Sequence, residues 1–293
     1  MAEKPRKWRG GVMKKKAHSI TIILWMICLF VWIPFLLMAG AALMPEDELY
    51  WRYLSVLRLG KERVRAALLP SYPSGNALAE LLFRSPGFFV MFWNSCIQVF
   101  PMLLGQLIIG APAAWAFARF DFAGKRWLFG LYILLMVLPF QITQVSNYLV
   151  LDRMGLLNSH LALIVPGIWA TFPVFIMEKS FEQVPEVLIE AARLDGAGDV
   201  YTFLHIGLPL GYPGIVTALM LSFIDGWNSL EQPITYLKDK RLWPVSLYLM
   251  DIAEDKASVA FAAALVCCIL PVLVYVNVWE ELEQGAAMAG IKQ

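Results

Sequence analysis

The stretch EAARLDGAGDVYTFLHIGLP occupies residues 190–209 and separates two long apolar runs of the chain. Three residues separate Glu190-Ala191-Ala192 from Gly196, and nine residues separate Gly196 from the sequence Ile-x-Leu-Pro at 206–209. The stretch is short, charged and interrupted by small residues, whereas its neighbours are strongly apolar. This contrast predicts a water-exposed connection between two membrane-embedded elements.

The composition of the chain supports that interpretation. Of the 293 residues, 59% are hydrophobic and 16% charged, and the mean hydropathy is +0.62, outside the range of an ordinary soluble domain. A helix needs about 20 apolar residues to cross a bilayer core of about 30 Å. We therefore predict an all-α, polytopic membrane protein with six transmembrane helices, at residues 19–44, 88–117, 127–149, 160–177, 205–224 and 259–282.

The ends and loops of the chain predict its orientation. Residues 1–18 form a basic leader with seven Lys and Arg residues, which the positive-inside rule places in the cytoplasm. A cleaved signal peptide is the alternative, but the apolar run after Ser19 is longer than the 7–15 residues typical of a signal core. Residues 19–293 then form one transmembrane domain with both termini cytoplasmic, an outer loop at 45–87 and an inner loop at 178–204.

The inner loop has the signals of two short helices. Pro185 suits a first helical turn and Glu190 lies near the start of the helix, so a helix is predicted over 185–195. Gly196 would end this helix in a left-handed conformation. We expect Asp199 to cap a second helix that enters the fifth span, and Pro209 to kink it.

Small side chains on the first of these helices would let it enter a groove of a partner protein. A charge beside them would offer a contact to an Arg or Lys of that partner. The candidate docking residues are Glu190, Ala191, Ala192, Asp195 and Gly196. An ordinary amphipathic loop helix is the alternative for the Glu-Ala-Ala sequence alone, but it does not explain the whole 20-residue pattern.

Further sequence motifs extend the pattern across residues 88–250. They are Phe92-Trp93-Asn94-Ser95, Ala116-Phe117-Ala118-Arg119-Phe120, Leu138-Pro139-Phe140-Gln141, Gly155-Leu156-Leu157-Asn158 and Asp225-Gly226-Trp227-Asn228. Together with the inner loop, they resemble the carbohydrate-type permeases of ABC importers, in particular those similar to the smaller permease of the maltose system.

This resemblance implies a type I importer bundle in a bacterial plasma membrane. The implied partners are a second homologous permease, a cytoplasmic ABC ATPase dimer that uses ATP and Mg, and an extracytoplasmic solute-binding protein. The implied substrate is a sugar or oligosaccharide, and membrane lipid surrounds the bundle. The resemblance also implies that the inner loop docks on the ATPase.

The sequence lacks the residues that other functions require. It has no G-x-x-x-x-G-K-[ST] phosphate loop, so we expect no ATP binding by this chain. The three histidines, His18, His160 and His205, are far apart in sequence, and the four cysteines lie in apolar runs without metal-ligand spacing. We therefore expect no enzyme activity, no metal, no bound cofactor and no nucleic-acid partner.

Polar residues within the apolar runs are few, and such residues can mark a substrate path. Asp225, Trp227 and Asn228 form the best candidate, because a sugar offers hydroxyls to the polar pair and C–H faces to the indole. Hydrogen bonding between helices is the alternative role for the remaining polar residues, such as Gln98 and Gln106.

Two other classes of membrane protein compete with the importer. A proton- or ion-coupled secondary carrier depends on ionisable residues near the bilayer midplane, and the predicted spans hold few. A structural or signalling membrane protein would explain the hydropathy but not the 190–209 pattern. The importer is therefore the preferred hypothesis, and the secondary carrier is the alternative.

Overall fold

A computed structural model describes residues 10–54, 69–252 and 256–290 of the chain, and helices are the only regular secondary structure in these ranges. Within these ranges, five helical segments are long and apolar enough to cross a membrane. They correspond to predicted spans one, two, four, five and six, and their bounds are Ile20–Ala42, Pro86–Arg119, Leu161–Phe181, Asp199–Asn228 and Ala257–Gly285. The predicted all-α, multi-spanning architecture is confirmed.

The third predicted span is not a single helix. It consists of Lys125–Val137 and Phe140–Arg153, whose axes differ by 107°. The break has a local cause, because a residue before proline avoids the helical region, and Leu138 is extended (φ −63°, ψ 131°). Pro139 also lacks the N–H that would continue the helix. The predicted third span over 127–149 is therefore broken at Pro139, and with this bent pair counted as one span the described residues contain six.

The chain divides into two compact units, Met1–Arg84 with Ala253–Leu265, and Ser85–Ile252 with Val266–Gln293. The first unit contains helix Gly10–Ala42, which begins nine residues before the predicted span. Residues 1–9 of the predicted leader and 55–68 of the predicted outer loop lie outside the described residues. The rest of the outer loop forms a helix Glu46–Leu49, a π-helical turn Tyr50–Leu54 and a helix Asn76–Arg84.

Within this unit, residues of the predicted outer loop form polar contacts with the beginning of the last helix, Ala257–Gly290. The Glu46 carboxylate accepts hydrogen bonds from the N–H and the hydroxyl of Ser258. Lys256 forms an ion pair with Glu80 at 2.5 Å. These contacts satisfy polar groups where an apolar helix begins.

The second unit contains spans two, four and five, each built from shorter pieces. Span two joins helix Pro86–Gly105, a π-helical turn and helix Ala111–Arg119. Span four joins helices Leu161–Ile168 and Thr171–Phe181. Span five joins helix Asp199–Thr202, a second π-helical turn and helix Leu208–Asn228. This unit also contains both halves of span three and the part of the last helix after Leu265. Its other described helices are Glu186–Leu194, Glu231–Tyr236, the 3₁₀ turn Lys240–Leu242 and Val245–Asp251.

Spans four and five approach each other closely because span five is rich in glycine on the facing side. A Cβ atom on Gly207, Gly211 or Gly214 would overlap a side chain of spans two or four. The hydroxyl of Ser180 donates to the Gly211 carbonyl at 3.3 Å across this contact. Small residues allow such close packing where lipid provides no hydrophobic driving force between helices.

The predicted kink at Pro209 takes the form of a widened turn. The π-helical turn Phe203–Gly207 immediately precedes helix Leu208–Asn228, and Pro209 lies in the first turn of that helix. A proline at this position costs little because its missing N–H falls where the regular bonding pattern is already interrupted.

Candidate functional site

The inner loop contains a short helix, Glu186–Leu194, which we call the elbow helix. It begins after Pro185, whose backbone is extended (φ −61°, ψ 128°), so the proline precedes the first turn instead of lying in it. The helix ends as predicted, with Gly196 in the left-handed region at φ +84°. The N–H of Ala197 donates to the Ala192 carbonyl at 2.9 Å, which closes a Schellman cap.

One residue of the elbow helix is buried. Ile189 is 2% exposed and packs into the apolar cluster formed by spans two, four and five. In contrast, Val187 and Leu194 are 72% and 89% exposed. An apolar anchor thus holds one face of the helix, and the other faces remain open to solvent or to a partner.

The predicted docking residues lie on the open part of the elbow. Glu190, Ala191, Asp195 and Gly196 are exposed, and Ala192 is partly buried. Together with Arg193 and Leu194, they form an exposed surface that carries small, apolar and charged side chains. Exposed apolar patches of this kind mark interaction sites in proteins.

The second part of the elbow is the start of span five. Gly198 occupies the N-cap position and Asp199 is the first helical residue, so the prediction that Asp199 caps this helix is wrong. The Asp199 carboxylate instead lies 3.8 Å from the guanidinium of Arg193. Val200 and Tyr201 are exposed next to this pair, which extends the apolar surface beyond the elbow helix.

The three predicted substrate-path residues do not share one environment. Trp227 is 4% exposed and lies between two aromatic rings, stacked on Phe223 at 5.7 Å and edge-on to Phe92 at 5.6 Å. Asp225 and Asn228 are exposed at the end of span five, where the Asn228 amide donates to the Ile224 carbonyl at 2.9 Å. The structure brings Trp227 and Asn228 to one cavity and leaves Asp225 outside it.

That cavity has a volume of about 290 Å³ and lies between helices Leu208–Asn228 and Ala257–Gly290. Its lining is apolar except for the polar groups of Asn228 and Tyr275. The lining residues are Met220, Ile224, Trp227, Asn228, Pro271, Val272 and Tyr275.

Most other polar side chains within the spans of the second unit bond to neighbouring segments. The Gln106 amide donates to the Gly167 carbonyl at 2.8 Å, and the Gln98 amide donates to the Leu242 carbonyl at 2.9 Å. Gln144 bonds to the hydroxyl of Thr235. These contacts agree with hydrogen bonding between helices, the alternative role given to these residues above.

A rigid loop lies at the opposite end of span five from the elbow, and sequence reasoning missed it. The Oδ1 atom of Asn158 accepts the backbone N–H groups of Lys238 and Asp239 at 2.9 and 2.8 Å. Asn158 itself has a positive φ of 56°, a conformation that asparagine tolerates better than most residues. Its sequence context, Gly155-Leu-Leu-Asn158, was the available signal.

Span two fixes the remainder of this loop. Asn94 donates to the carbonyls of Arg241 and Trp243, and the Ser95 hydroxyl accepts the N–H of Val245. Hydrogen bonds from Arg241 hold the pKa of the Asp239 carboxyl below its usual value. The loop therefore keeps its shape while the side chains of Lys238 and Lys240 remain exposed.

No group of three or more potential metal ligands occurs among the described residues. The described residues present an exposed surface at the elbow, a loop held by hydrogen bonds at the other end of span five, and closely packed spans between them. The apolar helices make the chain a multi-spanning membrane protein.

The sequence matches the family described as "Binding-protein-dependent transport system inner membrane component" over residues 106–282, so the chain belongs to that family. Family membership makes this chain a multi-pass membrane permease, not an enzyme, and makes a solute-binding protein part of its transport system. It also favours the importer hypothesis over the secondary carrier.

Relatives and solved structures agree with this assignment. The chain is 31% identical over 273 residues to the "Probable ABC transporter permease protein PH1036" of Pyrococcus horikoshii, covering 90% of this chain and 94% of the relative. It is 29% identical over 205 residues to the diacetylchitobiose uptake system permease protein NgcG of Streptomyces coelicolor, covering 68% of each chain.

The fold is similar to that of a chain from a solved bacterial ABC transporter involved in the import of the acidic polysaccharide alginate. The TM-score is 0.75 at 18% identity, covering 95% of this chain and 99% of the other. At this identity the likeness supports the fold alone, and it agrees with the type I importer bundle that the sequence resembles.

Proposed function

We propose that this chain is one permease subunit of an ATP-driven, binding-protein-dependent importer that moves a sugar or oligosaccharide across a bacterial plasma membrane. The observation that carries the proposal is the elbow helix, whose apolar and small side chains are exposed although the helix is anchored by Ile189. The names of relatives support the substrate class, since one takes up diacetylchitobiose and another, from Bacillus subtilis at 26% identity, transports polygalacturonan and rhamnogalacturonan.

The elbow helix is the proposed docking surface for a cytoplasmic ABC ATPase dimer. Ala191 and Ala192 allow close approach of a groove, Leu194 supplies an exposed apolar contact, and Glu190 offers a charge to a basic residue of the ATPase. Asp195 and Gly196 complete the surface at the capped end of the helix. ATP and Mg belong to the ATPase in this proposal, and the permease chain binds no cofactor itself.

The proposed orientation places both termini and the elbow helix in the cytoplasm. The seven basic residues before the first span support this orientation. The loop fixed by Asn158 and Asn94 would then face outward, where a solute-binding protein delivers the substrate. A second homologous permease and membrane lipid cover the apolar surfaces of the spans.

The proposed substrate path runs past the outer end of span five. The carboxylate of Asp225 and the amide of Asn228 can bond to sugar hydroxyls because both side chains are exposed. The buried ring of Trp227 lines the cavity beside Asn228, whereas Asp225 lies outside that cavity.

The test is affinity purification of the tagged chain from membranes of its native host, followed by mass spectrometry. We expect a second permease and an ABC ATPase to co-purify with the natural chain, and the ATPase to be lost with Glu190→Lys. Asp121→Lys is the matched control, because it reverses the charge of an exposed acidic side chain on another loop. Recovery of the chain alone, in a detergent that preserves other ABC importers, would contradict the proposal.

A further inference from the structure

Arg119, the last residue of span two, contacts the beginning of the elbow helix. Its side chain is only 10% exposed, and its Nη1 atom lies 2.9 Å from the carboxylate of Glu186. The Nη2 atom donates to the carbonyl oxygens of Phe181, at 2.5 Å, and of Val184. The guanidinium also lies 5.7 Å from the centre of the Trp115 ring.

These acceptors belong to different structural elements. Phe181 is the last residue of span four, and Glu186 is the first residue of the elbow helix. The last carbonyl groups of a helix lack regular intrahelical partners and carry partial negative charge, so a cation there is favourable. The planar guanidinium, with its fixed fork of donors, can hold three acceptors at once, which a lysine ammonium on a flexible stem does less well.

The apolar contacts below the guanidinium join the same elements. Trp115 of span two packs edge-on to Phe181 of span four at 5.4 Å and lies 5.8 Å from Phe203 of span five. Ile189 inserts from the elbow helix into this cluster. Val184 and Ile189 anchor the link and the elbow helix on the apolar side, and the contact between Arg119 and Glu186 adds a polar fixed point at the first residue of the helix.

We propose that Arg119 is a positioning residue for energy coupling, which sets the orientation of the elbow helix relative to spans two and four. A displacement of the docked elbow helix then moves the ends of both spans, instead of being absorbed by the link at residues 182–185. The inference rests on the proposed function, because it requires that an ATPase docks on the elbow helix.

The first experiment measures the number of substrate molecules transported per ATP hydrolysed by the complete importer in proteoliposomes. Arg119→Ala and Glu186→Ala should each lower this ratio about fivefold or more, while the ATPase still co-purifies and hydrolyses ATP. The double variant should be no worse than Arg119→Ala, because both changes remove the same contact. Lys125→Ala is the control, since it removes an exposed ion pair with Asp121 at 3.5 Å and should leave the ratio unchanged.

The second experiment needs no ATPase. Spin labels at Leu194→Cys and Trp127→Cys, both highly exposed positions, report the distance from the elbow helix to helix Lys125–Val137 in a chain whose four native cysteines are replaced. Arg119→Ala and Glu186→Ala should broaden the distance distribution measured by double electron–electron resonance, and Lys125→Ala should not.

The two experiments separate failure of the inference from failure of the proposed function. Unchanged transport ratios and unchanged distance distributions in Glu186→Ala would overturn the positioning role even if the ATPase docks as proposed. Glu186 is the decisive variant, because its side chain is 54% exposed and its loss should not prevent folding. If the natural chain recruits no ATPase, the proposed function fails, and a broadened distance distribution would then support only the local contact.

Discussion

The Oδ1 atom of Asn158 accepts the backbone N–H of Asp239 at 2.8 Å, so a residue between spans three and four fixes the loop that follows span five. Asn158→Gly should keep the positive φ but lose the acceptor, at a cost of about 0.5–1.5 kcal/mol per hydrogen bond. Asn158→Ala should add about 1–2 kcal/mol of backbone strain. The midpoint of thermal unfolding in detergent should therefore be highest for the natural chain, lower for Asn158→Gly and lowest for Asn158→Ala.

Limited trypsin digestion provides an independent measure of the same loop. Lys238 and Lys240 are exposed, so loss of the hydrogen bonds to the backbone should make trypsin cleave after them faster. Cleavage should be fastest in Asn158→Ala, slower in Asn158→Gly and slowest in the natural chain. Equal cleavage rates in all three proteins would show that Asn94 and Ser95 hold the loop without help from Asn158.

The helix cap of the elbow gives a second prediction. Gly196 has φ +84°, and no atom lies within 4 Å of the place that a Cβ would occupy. Gly196→Ala should therefore cost about 1–2 kcal/mol through the backbone alone and lower the recovery of the ATPase. Gly196→Asn should cost less, because asparagine tolerates this conformation.

Gly198→Ser is the control for the cap. Gly198 has a φ of −75° and occupies the N-cap of the next helix, where serine is favourable. Gly198→Ser should therefore leave the recovery of the ATPase equal to that of the natural chain. If Gly196→Ala behaves like Gly198→Ser, the cap has no role in docking.

Local sequence rules predicted the elbow and failed for its long-range contacts. Proline before a helix and glycine after it act within a few residues, so the end at Gly196 could be predicted. The motifs that contain Arg119 and Asn158 do not reveal the contacts of these residues, because most of their partners are backbone groups more than 60 residues away. A backbone carbonyl acceptor or a backbone N–H donor has no side-chain signature, and its position depends on the completed fold.

Two further features of the spans are not distinguished by the sequence pattern. The break at Pro139 depends on Leu138 leaving the helical region, whereas Pro101 and Pro166 remain inside helices, so a proline alone does not distinguish a tolerated position from a break. The burial of Trp227 depends on Phe92, which belongs to a different span. Periodicity within span five carries no information about that ring.

The substrate-path proposal yields a third prediction, in which stability and transport must be measured separately. Trp227→Ala should destabilise the protein by about 3–5 kcal/mol, because it leaves a cavity between Phe92 and Phe223. Its effect on uptake would then be uninformative. Asp225→Asn should change stability by no more than about 0.5 kcal/mol, since the side chain is exposed.

Asp225→Asn nevertheless removes a charged acceptor from the proposed path. Asparagine keeps an acceptor oxygen but loses the charge, and a charge-assisted hydrogen bond is about twice as strong as a neutral one, so the KM for sugar uptake in proteoliposomes should rise about fivefold. Asn228→Ala should act in the same direction with a smaller effect. If both variants have the same KM as the natural chain, Asp225 and Asn228 do not belong to the substrate path.

The exposed apolar surface of the elbow gives the last prediction. Leu194 is 89% exposed, so Leu194→Ala should change the free energy of unfolding by no more than about 0.5 kcal/mol. A leucine that is buried on docking should contribute about 1–2 kcal/mol to binding, so the Kd for the purified ATPase should rise about 5- to 30-fold. Leu69→Ala is a control of the same residue type, because Leu69 is 78% exposed in the predicted outer loop. Equal ATPase affinity of the Leu194 and Leu69 variants would exclude the elbow surface as the docking site, whereas a selective loss at Leu194 would explain why this side chain remains outside the packed core.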